Sequence, residues 1–219
     1  VFYISMWALA SALFILLEIA IGWFIFGGKA VSMKERGLCI GWKRVWKTIL
    51  IALAVVSCTY LIVFIADYFF KVDFRIWVIP FKAFMPDKFV QIFTYLPFFV
   101  LFYVVHSMAV NSFNNIKMGG KEWINLLVLS LATVGGALFI VVVQYSTFFA
   151  TGKSWTEVMT PTVSNIIGIW LFPILIYFPL ATVFDRLVFK VTKNPYLGGL
   201  IFGIFMTIMA TTNTLTLIP

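Results

Sequence analysis

Charged side chains are scarce: Asp, Glu, Lys and Arg make up 11% of the 219 residues, where a soluble domain of this size carries about a quarter. So few charges cannot cover a globular surface that faces water. Histidine occurs once, at His106, and cysteine twice, at Cys39 and Cys58. A metal centre draws three or four ligands from His, Cys, Asp and Glu, and the isolated Glu18, Glu35, Glu122 and Glu157 do not assemble one. There is no GxSxG nucleophile turn. Ser107 adjoins His106, but consecutive helical residues point about 100° apart and do not form a nucleophile and base pair. The two GGK triplets, at residues 27–29 and 119–121, lack the P-loop frame. No cofactor and no complete catalytic site are expected. Cys39 and Cys58 would stand about 15 Å apart along a helix starting near residue 48. A disulfide needs α-carbons within about 7 Å, so free thiols are expected.

What the sequence has in abundance is apolar: 63% hydrophobic residues, 25 Phe and a mean hydropathy of +1.05. A membrane span takes roughly 20 such residues to cross about 30 Å of hydrocarbon. The expected fold is therefore all-α, a polytopic bundle of about six transmembrane helices forming one integral-membrane domain over residues 1–219. The net charge of +8 sits in connections beside apolar runs. That placement points to anionic lipid headgroups as the partner rather than nucleic acid.

Residues 2–26 read as the first span, with Trp7 and Trp23 near its ends and Glu18 inside. A carboxylate at that depth costs about 3 kcal/mol unless it faces protein or water or is protonated. It is either a proton or substrate site or a structural acid paired with another helix. Residues 27–47 hold six bases, Lys29, Lys34, Arg36, Lys43, Arg44 and Lys47, against Glu35 alone. Trp42 and Trp46 would share one side of an amphipathic surface helix leading into the second span, residues 48–66.

Residues 67–86 form a polar elbow. Asp67, Lys71, Asp73, Arg75 and Lys82 are too many charges for a crossing, and the apolar piece at 74–85 is too short for one. An interfacial or re-entrant segment is expected. The third span, 89–113, contains Pro97 and His106. His106 and Asn114 share a face, while Asn111 is turned about 140° from His106. The fourth span, 123–150, carries Gln144 toward its end; the fifth, 162–184, contains Pro173 and Pro179. Residues 185–194 read as a basic hinge before a last helix opened by Pro195. Gly199, Gly203, Thr207, Thr211 and Thr214 make a small-residue seam on that helix, suited to close contact with a neighbour or to lining a polar recess. Glu18, His106, Asn111, Asn114 and Gln144 are the candidate intramembrane polar site. Asp67, Lys71, Asp73, Arg75 and Trp77 are the candidate docking surface of the elbow.

The odd connections carry most of the bases, which by the positive-inside rule places residues 27–47 in the cytoplasm of a multi-pass cell-membrane protein, with the elbow and both chain ends outward. The opening run has no basic flank and the last helix no polar tail, so a piece of a longer chain is expected.

Three stretches, ADYFFKVDFRIWV from Ala66, QYSTFFATG from Gln144 and TKNPYLGGLIFG from Thr192, occur in the order of the C-terminal integral-membrane region of bacterial membrane-bound α/β-hydrolase proteins, which the chain resembles over nearly its whole length. The MATTNTLT ending departs from that family's pattern. The resemblance implies a soluble peptidase- or esterase-like hydrolase domain elsewhere in the longer chain, with the catalytic residues in that part. This segment would then anchor and orient the hydrolase outside the cell. The NPYLGG stretch also resembles the CAAX-protease-like membrane fold, whose paired glutamates and histidines are missing here. A subunit of a transporter or channel, with membrane-protein partners, is the other alternative, motivated by Glu18, His106 and the prolines of the fifth span.

Overall fold

The computed structural model describes residue 34 and residues 37–70, 86–115, 121–150, 152 and 172–211, the side chains of residues 42, 86–89, 136–145, 147–149, 172–174 and 210 excepted. Glu18, Lys71, Asp73, Arg75 and Trp77 lie outside the described residues, as does the side chain of Gln144. The described residues form five helices and no strand: α1 (Trp42–Phe70), α2 (Pro86–Asn115), α3 (Glu122–Ala150), α4 (Phe172–Thr192) and α5 (Leu197–Thr211). By length and composition, two of them, α1 from Lys43 and α2 from Val90, suffice to cross a membrane.

Helix α5 is the axis of the described bundle. On α2 the residues Phe99, Tyr103, His106, Val110 and Phe113 are buried, at steps of four and three that keep one face inward. That face lies against α5 at very short range. A Cβ on Gly203 would stand 2.7 Å from Val100 Cα, and one on Gly199 would collide with the Tyr103 carbonyl. At Gly199 and Gly203 the small-residue seam faces another helix, α2; Thr214 lies outside the described residues. Thr207 and Thr211 continue it, buried, each donating its hydroxyl to the carbonyl four residues back, Gly203 at 2.7 Å and Thr207 at 2.8 Å. Used in this way, a hydroxyl lets its helix pack closely without leaving polarity unmet.

Helix α1 meets the bundle along one narrow stripe. Its buried positions are Thr48, Ala52, Val56 and Tyr60, each four residues from the next. Ala52, Val56 and Tyr60 join Leu197, Ile201 and Ile208 of α5 in one cluster, and Tyr60 stacks on Phe205 at 5.2 Å. The flanks of this stripe are aliphatic: Leu50 and Ile62 are both 65% exposed, and Leu53, Leu61 and Ile65 are exposed beside them. A helix at a water surface would carry polar residues there. Helix α3 covers the far side, where Leu129 and Leu126 meet Val110 and Phe113 of α2.

Two boundaries differ from the sequence expectation. Helix α1 starts at Trp42 and ends at Phe70, so the basic stretch from Trp42 is the first turns of that helix, and Asp67 at the head of the elbow is still helical. Residues 185–192, read as a hinge, are the last two turns of α4. Charged residues do not break a helix by themselves, and here α3 neutralises them. Glu122 Oε1 accepts from Arg186 Nε at 2.7 Å, and its Oε2 pairs with Lys190 Nζ at 2.8 Å. The helix stops only where Pro195 disfavours helical geometry at Asn194. Lys193, with φ of 54°, turns the chain in the left-handed region just past Thr192.

Candidate functional site

The polar residues of the bundle converge on the six residues from Asn194 to Gly199, each of which is held by a different contact. Asn194 donates from Nδ2 to Thr48 Oγ1 on α1 at 2.6 Å, and its Oδ1 accepts the Tyr196 backbone N–H at 3.1 Å. An Asn accepting from the amide two residues on is the capping geometry that starts a helix. The Pro195 carbonyl accepts from Ser107 Oγ at 2.8 Å and from Asn111 Nδ2 at 3.4 Å, which pins the start of α5 to α2. Tyr196 donates its hydroxyl to the Leu38 carbonyl, before α1. Burial, and then the neighbouring Cys39 sulfur, pushes that hydroxyl's pKa up, which keeps it in the protonated, donating form. Leu197 is in the apolar core with α1. The two glycines admit Asp185 and the α2 backbone: Asp185 Oδ1 occupies the space a Cβ on Gly198 would need, as the Tyr103 carbonyl does at Gly199.

Asp185 is 1% exposed. Its carboxylate lies against the first turn of α5, where the helix dipole favours negative charge. One turn earlier on the same helix, Thr182 is also buried, and its Oγ1 stands 3.1 Å from His106 Nε2. The Thr182 hydroxyl has a single proton and donates it to the Phe178 carbonyl at 2.9 Å. It can therefore only accept from His106, so the hydrogen-bond network assigns the proton to Nε2 of the imidazole.

The structure thus brings together two residues of the expected polar site, His106 and Asn111, and adds Ser107, Thr182, Asp185 and Asn194. Asn114 serves its own helix, donating from Nδ2 to the Val110 carbonyl at 2.8 Å. Sequence reasoning passed over Asp185 because it stood at the edge of what looked like a hinge. Once α4 is extended, its spacing of three from Thr182 puts both on one face. The acceptors are not all used. Among the described residues, Asn111 Oδ1, Ser112 Oγ and Asn114 Oδ1 are buried with no hydrogen-bond partner, each at a cost of about 1–3 kcal/mol.

Around this core the charges gather at one end. The Asn194 bond to Thr48, the Tyr196 bond to Leu38, and Arg186 Nη1 donating to Asn115 Oδ1 at 3.0 Å place the start of α1, the ends of α2 and α4 and the starts of α3 and α5 together. That end carries Lys43, Arg44, Lys47, Lys121, Arg186, Lys190 and Lys193. Trp46 and Trp123 are exposed beside them. No family model, curated protein or solved structure matches the chain.

Proposed function

We propose that the chain is a multi-pass membrane domain of about six spans that anchors and orients an extracytoplasmic α/β-hydrolase-type domain of a longer chain. The observation that carries the membrane reading is that the starts of α1, α3 and α5 and the ends of α2 and α4 share one end. Alternation across a bilayer demands that arrangement, and their bases stand beyond a helix whose exposed flanks are aliphatic. Exposed tryptophans at the same end fit the headgroup level. Bases favour the cytoplasmic side, which leaves the elbow of residues 67–86 outward, available to the hydrolase.

The anchoring role rests on the resemblance and on how the buried polar groups are spent. Thr48, Ser107, Thr182 and Asn194 each bond across helices or to backbone, as a rigid scaffold requires. Holding the hydrolase near membrane-proximal substrates would raise their effective concentration. A longer reading frame with a GxSxG followed by Asp and His supports this role, and one with only further spans refutes it. In the full chain, Asp73→Ala with Arg75→Ala should loosen the hydrolase contact; unchanged assembly and activity would return the elbow to a plain interfacial segment.

A transporter or channel subunit is the second reading, favoured by the three unmet acceptors on α2. Glu18→Gln that leaves proton-coupled uptake unaltered counts against it.

A further inference from the structure

The bases at the charged end are of two kinds. Arg186 and Lys190 are neutralised by Glu122. Lys47 and Lys193 are exposed, and among the described residues neither makes an ion pair. These two are not scattered. Each is one residue from an end of the 2.6 Å bond between Thr48 and Asn194, so the contact that docks α5 on α1 has an exposed lysine beside each of its ends, without an ion pair among the described residues. Lys193 is held further by the left-handed turn at its own backbone and by Phe189, whose ring centroid lies 5.9 Å from Nζ. One turn before Lys47, the exposed Lys43 and Arg44 add to the same positive potential.

Below the two lysines the surface turns apolar. Leu50 and Ile51 follow Lys47 on α1, and Val191 on α4, 85% exposed, precedes Lys193. Trp46 is exposed at the boundary. Paired cations above an aliphatic wall match one ligand class, an amphiphile with an anionic head and acyl chains.

We propose that Lys47 and Lys193 form a binding site for the phosphate group of an anionic phospholipid, whose chains lie along the exposed aliphatic flank of α1. The site rests on the membrane reading above and deepens it, from a general attraction to anionic headgroups to one defined position. Two lysines near a headgroup correspond to a preference for anionic over zwitterionic lipid of about thirtyfold. Local recruitment of this kind also fixes the depth of α1, because the phosphate level is then tied to the docking point of α5.

The test is quenching of Trp46 fluorescence in the full chain reconstituted in phosphatidylcholine vesicles. Brominated phosphatidylglycerol or brominated phosphatidylcholine is added at equal mole fraction, and the Trp46 component is taken as the difference from Trp46→Phe. The proposal expects stronger quenching by the anionic lipid. That excess should be lost in Lys47→Gln with Lys193→Gln and retained in a control with Lys121→Gln and Lys34→Gln; the Lys34 carbonyl accepts from the Gly37 N–H, and Gly37 lies beside Asn115 at the same end. Equal quenching by both lipids in the unaltered protein overturns the site while leaving the membrane reading in place. A control pair that loses the excess as fully shows a diffuse surface potential and also overturns it. No quenching of Trp46 by either lipid overturns the membrane reading itself.

Discussion

Replacing Gly203 by Ala tests the closest packing in the bundle. An alanine Cβ there would stand 2.7 Å from Val100 Cα and 3.0 Å from both the Phe99 carbonyl oxygen and the Val100 nitrogen. All three are backbone atoms of α2, so no side chain can swing aside. The helices must separate by roughly half an ångström or more, which forfeits about a quarter to a half of each dispersion contact along the seam. Overpacking of this kind costs about 1–3 kcal/mol, against which alanine returns up to about 1 kcal/mol of helix preference. The net expectation is a loss of about 1–2 kcal/mol. Gly135 in α3 supplies the control, since nothing lies within 4 Å of its Cβ position. Gly135→Ala should be neutral or stabilising by up to about 1 kcal/mol. Denaturant unfolding of both variants in the same detergent measures the contrast. A Gly203→Ala protein as stable as Gly135→Ala would refute the close approach of α2 and α5.

Asn194→Ala removes both the bond to Thr48 and the cap on Tyr196, and should cost about 1–2 kcal/mol. A double-mutant cycle with Thr48→Ala should return a coupling near 1 kcal/mol, and strict additivity would deny the bond. His106 is the sole histidine, so nitrogen-15 spectra of labelled protein hold one imidazole. Its Nε2 should be protonated, and Thr182→Val, which removes the acceptor, should shift that resonance and destabilise the protein by about 1–3 kcal/mol. Hydrogen bonds from Lys190 and Arg186 hold the Glu122 carboxyl below its usual range. A lowered folded pKa gives stability that is present above the unfolded value, about 4.3, and lost as pH falls through the folded one. Glu122→Gln should therefore cost up to about 1 kcal/mol at neutral pH, modest because the pair is partly solvated, and should flatten the loss of stability on acidification.

The helical class and the positions of α1, α2 and α3 were legible because apolar runs of that length have few alternatives. The seam at Gly199 and Gly203 was legible too, from its spacing of four. The last turns of α4 were not, since Arg186 and Lys190 read as a connection until Glu122, 64 residues from Arg186, is seen to neutralise them. His106 and Asn111 stood out as polar residues in an apolar run. Thr182 and Asn194 did not, because a threonine or asparagine reveals its role only through a partner, and theirs lie 76 and 146 residues away. The conjunction at residues 194–199 therefore belongs to three dimensions, although each of its residues is of a type suited to its contact.

The two native cysteines test the central claim, that α1 crosses a membrane with its basic end at one surface. Both are free and exposed, Cys39 just before α1 and Cys58 near its middle. In sealed vesicles with the cytoplasmic face outward, a membrane-impermeant maleimide should label Cys39 and leave Cys58 untouched until detergent dissolves the bilayer. Vesicles of the opposite orientation should protect both. Labelling of Cys58 in intact vesicles as fast as Cys39 would mean that α1 faces water, and the membrane account would fail.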